Sequence, residues 1–218
     1  PPQEPLWTLP LRARCRRRLR DPGEQSLRLY RSPGALSALA TETPARTAEG
    51  AIAFTDLSGF TEYTALRGDM AALHLLQMQE RILRDAVRRR GRVVKNLGDG
   101  FLLWFRSAHA AVDIALDLQE SFDTEAFDVD MPLWVRIGIH YGHPLRYGRD
   151  LIGHDVNVAA RIVDLAAPGE VLVSGACTAK LRRSLPEVYF EELGPVVMKG
   201  IPDAVPLFRA MRGVRYDW

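Results

Sequence analysis

From residue 48 onward, short apolar runs of strand length alternate with longer stretches whose apolar residues recur every three or four positions. Residues 51–56 form a compact apolar run that ends in a Ser58-Gly59 turn, as expected of a buried strand delivering a loop. Leu73, Leu76, Glu80, Leu83 and Val87 then follow helical spacing and, with Met70 and Ile82, predict one buried stripe. That helix should stop at the basic turn 88–90 and Gly91. Residues 92–95 and 101–105 read as two strands, with 96–100 as the tip of a hairpin. A second amphipathic helix, 108–122, places Ala111, Ala115, Leu118 and Phe122 on one face. Alternation predicts a strand at 133–140, followed by a loop carrying Gly148 and Gly153 and a helix at 156–165, stopped by Ala167-Pro168-Gly169. A strand at 170–174, a small helix near 178–185 and two edge-like strands at 189–193 and 206–210 complete the series. This order predicts an α+β sandwich, with helices over a mostly antiparallel sheet and no internal repeat.

Composition changes the picture mainly upstream. Residues 1–47 are rich in Pro, Arg, Ser and Thr, with a short helix-compatible patch at 35–40, and read as an extension or linker. The expected division is therefore 1–47 as extension, 48–212 as one globular domain and 213–218 as a tail. A formal charge of +2 over 218 residues does not argue for a nucleic-acid binder. The stretch 11–20, LRARCRRRLR, does concentrate six arginines without an acid, so a solvated linker and a tether to anionic lipid or nucleic acid are both open for it. Cys15 and Cys177 are too few and too dispersed for a disulfide framework or a zinc site, which suits a reducing, cytoplasmic setting. There is no apolar run of membrane-spanning length and no apolar core of a secretory signal. The chain begins with Pro-Pro and no methionine, so a longer parent with an upstream membrane or sensor segment is expected to be possible.

Candidate chemistry sits at the turns. Asp56 lies in FTDLSGFT (54–61) and Asp99 in VVKNLGDGF (93–101), each where an apolar strand pattern breaks. Either alone reads as an aspartate stabilising its own turn. Together, on neighbouring strands, they suit hard divalent cations shared with substrate phosphates. The backbone of Leu57, Ser58, Gly59, Phe60 and Thr61 leads into a helix start, where free N–H groups seat phosphate. Asn157 and Arg161 lie four residues apart and share a helix face, an amide beside a guanidinium. His140 and His143 have no companions at ligand spacing and read as structural.

Six motifs in register resemble the class III adenylyl and guanylyl cyclases over residues 48–212: FTDLSGFT, KNLGDG, GIHYG, DLIGHDVNVAAR, APGEVLVS and MKG. The resemblance implies a ferredoxin-like βαββαβ core with additional C-terminal strands. It further implies that Asp56 and Asp99 bind two Mg²⁺ or Mn²⁺ ions, with the Leu57 carbonyl as an extra ligand. Lys95 and Asp150 match the purine-reading positions, which in adenylyl cyclases are typically Lys with Asp or Thr and in guanylyl cyclases Glu and Cys, so ATP is the implied substrate. Asn157 and Arg161 match the ribose-orienting and transition-state positions, and Lys199 a lysine on the terminal phosphates. In this family the metal carboxylates and the purine-reading pair of one site come from different chains, which implies a homodimer with two composite sites. His143-Pro144 and Asp155 depart from the common pattern, near the interface side of Asp150. Alternatives at this point are a guanylyl or relaxed-specificity cyclase, and a nucleotide-binding regulatory module without turnover.

Overall fold

A computed structural model describes residues 46–125, 134–181, 185 and 187–213. The readings for residues 1–45, including the helix-compatible patch and the arginine run, lie outside the described residues. The elements in chain order are β1 (Arg46–Thr47), β2 (Gly50–Ser58), α1 (Phe60–Arg67), α2 (Asp69–Val87), a 3₁₀ turn (Arg88–Arg90), β3 (Arg92–Asn96) and β4 (Gly100–Phe105). They continue with α3 (Ala108–Glu125), β5 (Trp134–Gly142), β6 (Leu145–Tyr147), β7 (Asp150–Ile152), α4 (His154–Leu165), β8 (Val171–Ser174), α5 (Gly175–Thr178), β9 (Val188–Val196) and β10 (Val205–Arg212).

Seven strands form one sheet in the order β3-β4-β2-β5-β8-β10-β9, and β1, β6 and β7 form a small second sheet. Every pairing in the large sheet is antiparallel except β5 with β8, which α4 connects by a crossover. This is the α+β sandwich that the periodicity predicts. Strand alternation divides the core. Ala51, Ala53 and Leu57 face the side covered by α2 and α3, with Phe101, Leu103 and Phe105 from β4. Ile52, Phe54 and Leu102 face α4, where they meet Val156, Ala159 and Val163. A Cβ on Gly138 would lie 2.2 Å from the Val163 backbone nitrogen, so glycine there lets α4 rest directly on β5.

Five expectations need correction. The buried stripe of α2 is Ala72, Leu75, Gln79, Ile82, Leu83 and Val87, whereas Met70 and Leu73 are 66% and 46% exposed. Gly68, at φ 82°, breaks the expected single helix into α1 and α2, and the inward face of α2 then runs through a glutamine that apolar counting passes over. The expected loop before α4 contains the β6–β7 hairpin, whose strands are too short to show a period. The small helix starts earlier, at Gly175, because the Ser174 hydroxyl accepts the Cys177 N–H at 3.3 Å as its N-cap. Of the two terminal strands only β9 is an edge, since β10 pairs with both β8 and β9. Among the described residues, no helix is long and apolar enough to cross a membrane.

Candidate active site

Asp56 continues the Ile52–Phe54 alternation, so it lies on the α4 face of the sheet at the end of β2. Its register partners are Gly100 on β4 and Arg136 on β5. A Cβ on Gly100 would come within 2.3 Å of the Thr55 carbonyl oxygen; without it the β3–β4 tip closes onto β2 and brings Asp99 beside Asp56. The Asp99 carbonyl accepts two hydrogen bonds, from the Leu57 N–H at 3.0 Å and from Gln79 Nε2 at 3.1 Å. Inside the tip, the Asn96 side chain accepts the Gly98 N–H at 2.8 Å.

The two carboxylates share one field. Burial pushes the Asp56 carboxyl upward; Arg136 opposes this, and the charges of Asp99 and Asp164 add to it. The Arg136 guanidinium places Nε and Nη2 each 2.5 Å from the same oxygen of Asp56, Oδ2. Oδ1 of Asp56 is not part of that pairing. Among the described residues no group of three or more acidic, His or Cys side chains is arranged to hold a metal ion by itself. A cation here therefore has two carboxylates and completes its shell with water and phosphate oxygens, which is the way Mg²⁺ and Mn²⁺ are commonly held. Among the described residues the buried Ser58 hydroxyl has no hydrogen-bond partner, so an unused polar group stands two residues beyond Asp56 at the end of β2. The donor set thus fits such an ion.

Gly59 takes φ 80° and starts α1, so Phe60 and Thr61 occupy its first turn, where backbone N–H groups lack helical acceptors. On α4, Asn157, Arg161 and Asp164 form the stripe left over when Val156, Val158, Ala159, Ile162, Val163 and Leu165 turn inward. Arg161 Nη1 donates to Asp164 Oδ2 at 3.0 Å, and the reach of the Asp164 charge to Asp56 puts this stripe toward the carboxylates. Lys95 on β3 and Asp150 on β7 are brought together: Nζ lies 2.8 Å from Oδ2, while the Leu151 N–H donates to Oδ1 at 2.8 Å and fixes the carboxylate. Lys199 is exposed on the turn joining β9 and β10, beyond the opposite side of the sheet from β3, and forms no ion pair with Asp56 or Asp99.

Sequence reasoning passes over three contributors. Arg136 is a guanidinium between the buried Val135 and Ile137, a signal that alternation makes visible. Asp164 is the third member of the Asn157–Arg161 face. Gln79 is a fully buried polar residue inside an apolar helix face. Its Oε1 has no partner among the described residues, so Gln79→Leu removes one unsatisfied acceptor together with one hydrogen bond, and the melting temperature should move little. Mn²⁺ binding, read by electron paramagnetic resonance, should nevertheless weaken about fivefold, corresponding to roughly 1 kcal/mol for the lost brace on Asp99. Unchanged Mn²⁺ binding would remove Gln79 from the site.

Residues 43–209 match the family model described as the adenylate and guanylate cyclase catalytic domain. The chain is 35% identical over 158 residues to the uncharacterised Mycobacterium tuberculosis protein Rv2212, covering 72% of this chain and 40% of that protein. It is 37% identical over 135 residues to a Streptomyces coelicolor adenylate cyclase, covering 62% of this chain and 34% of that one. The chain thus spans about two fifths of the length of the first curated relatives that it matches. In structure it is similar to the adenylyl cyclase CyaB of P. aeruginosa, with a TM-score of 0.71 at 21% identity over 79% of this chain and 98% of the other. The fold, and a family match that spans most of the chain, agree: this chain belongs to the class III adenylate and guanylate cyclase catalytic domain family.

Proposed function

We propose that residues 48–212 form an adenylate cyclase catalytic unit, with 1–47 as an extension and 213–218 as a tail, that converts ATP to 3′,5′-cyclic AMP and pyrophosphate. The observation that carries the ATP assignment is the Lys95–Asp150 pair, 2.8 Å apart, with Asp150 oriented by its own backbone neighbour. Adenine offers an acceptor at N1 beside a donor at N6, while guanine offers the same edge with donor and acceptor exchanged, so a fixed ammonium–carboxylate pair discriminates between them.

The other residues take their places around this pair. Asp56 and Asp99, with the Leu57 carbonyl, hold two Mg²⁺ or Mn²⁺ ions. When bound, those ions supply Lewis acidity, which makes the ribose 3′-hydroxyl a better nucleophile and neutralises phosphate charge. The backbone of Ser58, Gly59, Phe60 and Thr61 receives phosphate oxygens at the start of α1. Asn157 orients the ribose through its side-chain amide. The 3′-oxygen bonds to the α-phosphorus, the bond to the pyrophosphate oxygen breaks, and the hydroxyl proton passes to solvent. Arg161 offers its fork to the oxygens on which charge accumulates, and Lys199 meets the terminal phosphates. The active form is a homodimer, with carboxylates from one chain and the purine-reading pair from its twin in each of two sites. A cytoplasmic setting supplies ATP and suits the buried free thiol Cys177.

Turnover of ATP and GTP by the natural chain and by the Lys95→Glu/Asp150→Cys double variant tests this reading. The natural chain should favour ATP at least about tenfold and the double variant should reverse the preference, a change expected when a donor–acceptor match to the base edge is inverted. Equal use of both nucleotides by the natural chain would assign relaxed specificity instead. No cyclisation of either would assign a silent nucleotide-binding module.

A further inference from the structure

Beneath α4 lies a polar network that the proposed reaction does not use. His140, on β5, is 8% exposed and Ser174, at the end of β8, is fully buried. Nδ1 of His140 is 2.9 Å from the Ser174 hydroxyl and Nε2 is 3.3 Å from Asp155 Oδ1, in the first turn of α4. The other carboxylate oxygen of Asp155 accepts the His143 backbone N–H at 2.5 Å. A Cβ on Gly142 would fall 2.3 Å from the Asp155 carboxylate, so β5 has been kept bare to admit that side chain.

Donor and acceptor counting assigns the tautomer. A carboxylate only accepts, so Nε2 carries the hydrogen and Nδ1 is the acceptor. The Ser174 hydroxyl then donates to Nδ1 while its oxygen accepts the Cys177 N–H at 3.3 Å. Each group is satisfied only with neutral imidazole. A second ring proton would force the Ser174 hydroxyl hydrogen to turn away from Nδ1 inside a fully buried site, at a desolvation cost.

We propose that His140 and Asp155 are positioning residues, locked in one tautomer by Ser174, which hold the first turn of α4 on β5 and so set Asn157 and Arg161, and that protonating His140 breaks the Ser174 lock, leaves the ring tied to Asp155 alone and so re-seats that turn. The catalytic part rests on the cyclase reading above. Asp155 sits two residues before Asn157 and six before Arg161, and the Gly138–Val163 contact fixes the helix further along. These two anchors determine how α4 lies on the strand. The groups facing His140 are Asp155 and His154 from α4 and the Ser174 hydroxyl from β8. Its cross-strand neighbour on β2 is the apolar Ile52, and the nearby α5 thiol of Cys177 is pushed up to about 12 by burial and stays neutral. Burial lowers the His140 pKa more than Asp155 raises it, and His154 lowers it further, so the neutral form persists to mildly acidic pH and is lost as pH falls through that depressed value.

Imidazole nitrogen NMR of the full chain, titrated from pH 8 to 5, is the direct test, alongside kcat and KM for ATP over the same range. The expected spectrum is the Nε2–H tautomer, with the Asn157 and Arg161 amide resonances shifting at the His140 midpoint. Ser174→Ala removes the bond that favours neutral imidazole and should raise that midpoint by roughly one pH unit. Asp155→Asn removes the anion that favours imidazolium and should lower it by a similar amount. The acid limb of kcat should follow both displacements, in opposite directions. His140→Leu should lose at least about tenfold in kcat with KM little changed. His140→Gln, which restores a donor toward Asp155, should recover most of that loss and flatten the acid limb. The Nδ1–H tautomer, amides on α4 that ignore the titration, or an acid limb unmoved by Ser174→Ala would each overturn the proposal. A natural chain without turnover overturns the cyclase reading instead, while the NMR titration still decides whether His140 sets α4.

Discussion

Replacing Arg161 with alanine should lower kcat by about 10³-fold and change KM for ATP by less than about threefold, because a donor aimed at developing charge acts on the transition state more than on the ground state. The structure gives this residue the right form. Its guanidinium is half-buried on the polar stripe of a helix whose other faces are packed, and Asp164 holds it at 3.0 Å without enclosing it. The helix keeps its apolar contacts in the variant, so the melting temperature should stay within a few degrees. Arg161→Lys keeps the charge and loses the planar fork, and should recover about tenfold of the lost rate. The check is steady-state kinetics on each variant with matched thermal melts. Unchanged kcat in the alanine variant would refute the role of Arg161, and a large rise in KM alone would make it a binding residue.

A second large effect should appear on mixing two inactive proteins. Asp56→Asn, which removes a proposed cation ligand, and Lys95→Ala, which removes a proposed purine contact, should each lose about 10³-fold or more in turnover. Mixed in equal amounts, they should recover about one quarter of the natural activity: half of randomly formed dimers are mixed, and one of the two sites in each is intact. The geometry of the single chain supports this arrangement. Lys95 and Asp99 flank one hairpin tip, yet Lys95 is bound to Asp150 on β7, while Asp99 is drawn to the β2 end by the Leu57 N–H and Gln79. Lys95 is about half exposed, so its loss should leave the fold in place. Recovery should depend on total concentration. A mixture no more active than its components would show that each site is built within one chain.

Several parts of this site are legible in sequence because they depend on local rules. Asp56 and Asp99 stand out as carboxylates at strand–turn junctions, and Asn157 with Arg161 as a helix face, since these follow from alternation and from the 3.6-residue turn. Lys95 and Asp150 are different. Fifty-five residues separate them, and no period relates a residue on β3 to one on β7; only the resemblance to a family joins them before the fold does. Gln79 and Ser174 are illegible for another reason. A lone polar residue in an apolar face reads as surface until its burial is known.

The sequence by itself determined the longer strands and helices, the inward face of most of them, and which turns carry acid, since those choices are made by neighbours within a few residues. Tertiary structure alone decided that Arg136 lies on Asp56 and that the Gln79 amide braces Asp99. It also decided that His140 is clasped between Ser174 and Asp155. These contacts join strands and helices distant along the chain, and their partners are selected by strand register and by the close seating that Gly100, Gly138 and Gly142 permit. Neither register nor seating is written in any short stretch of residues.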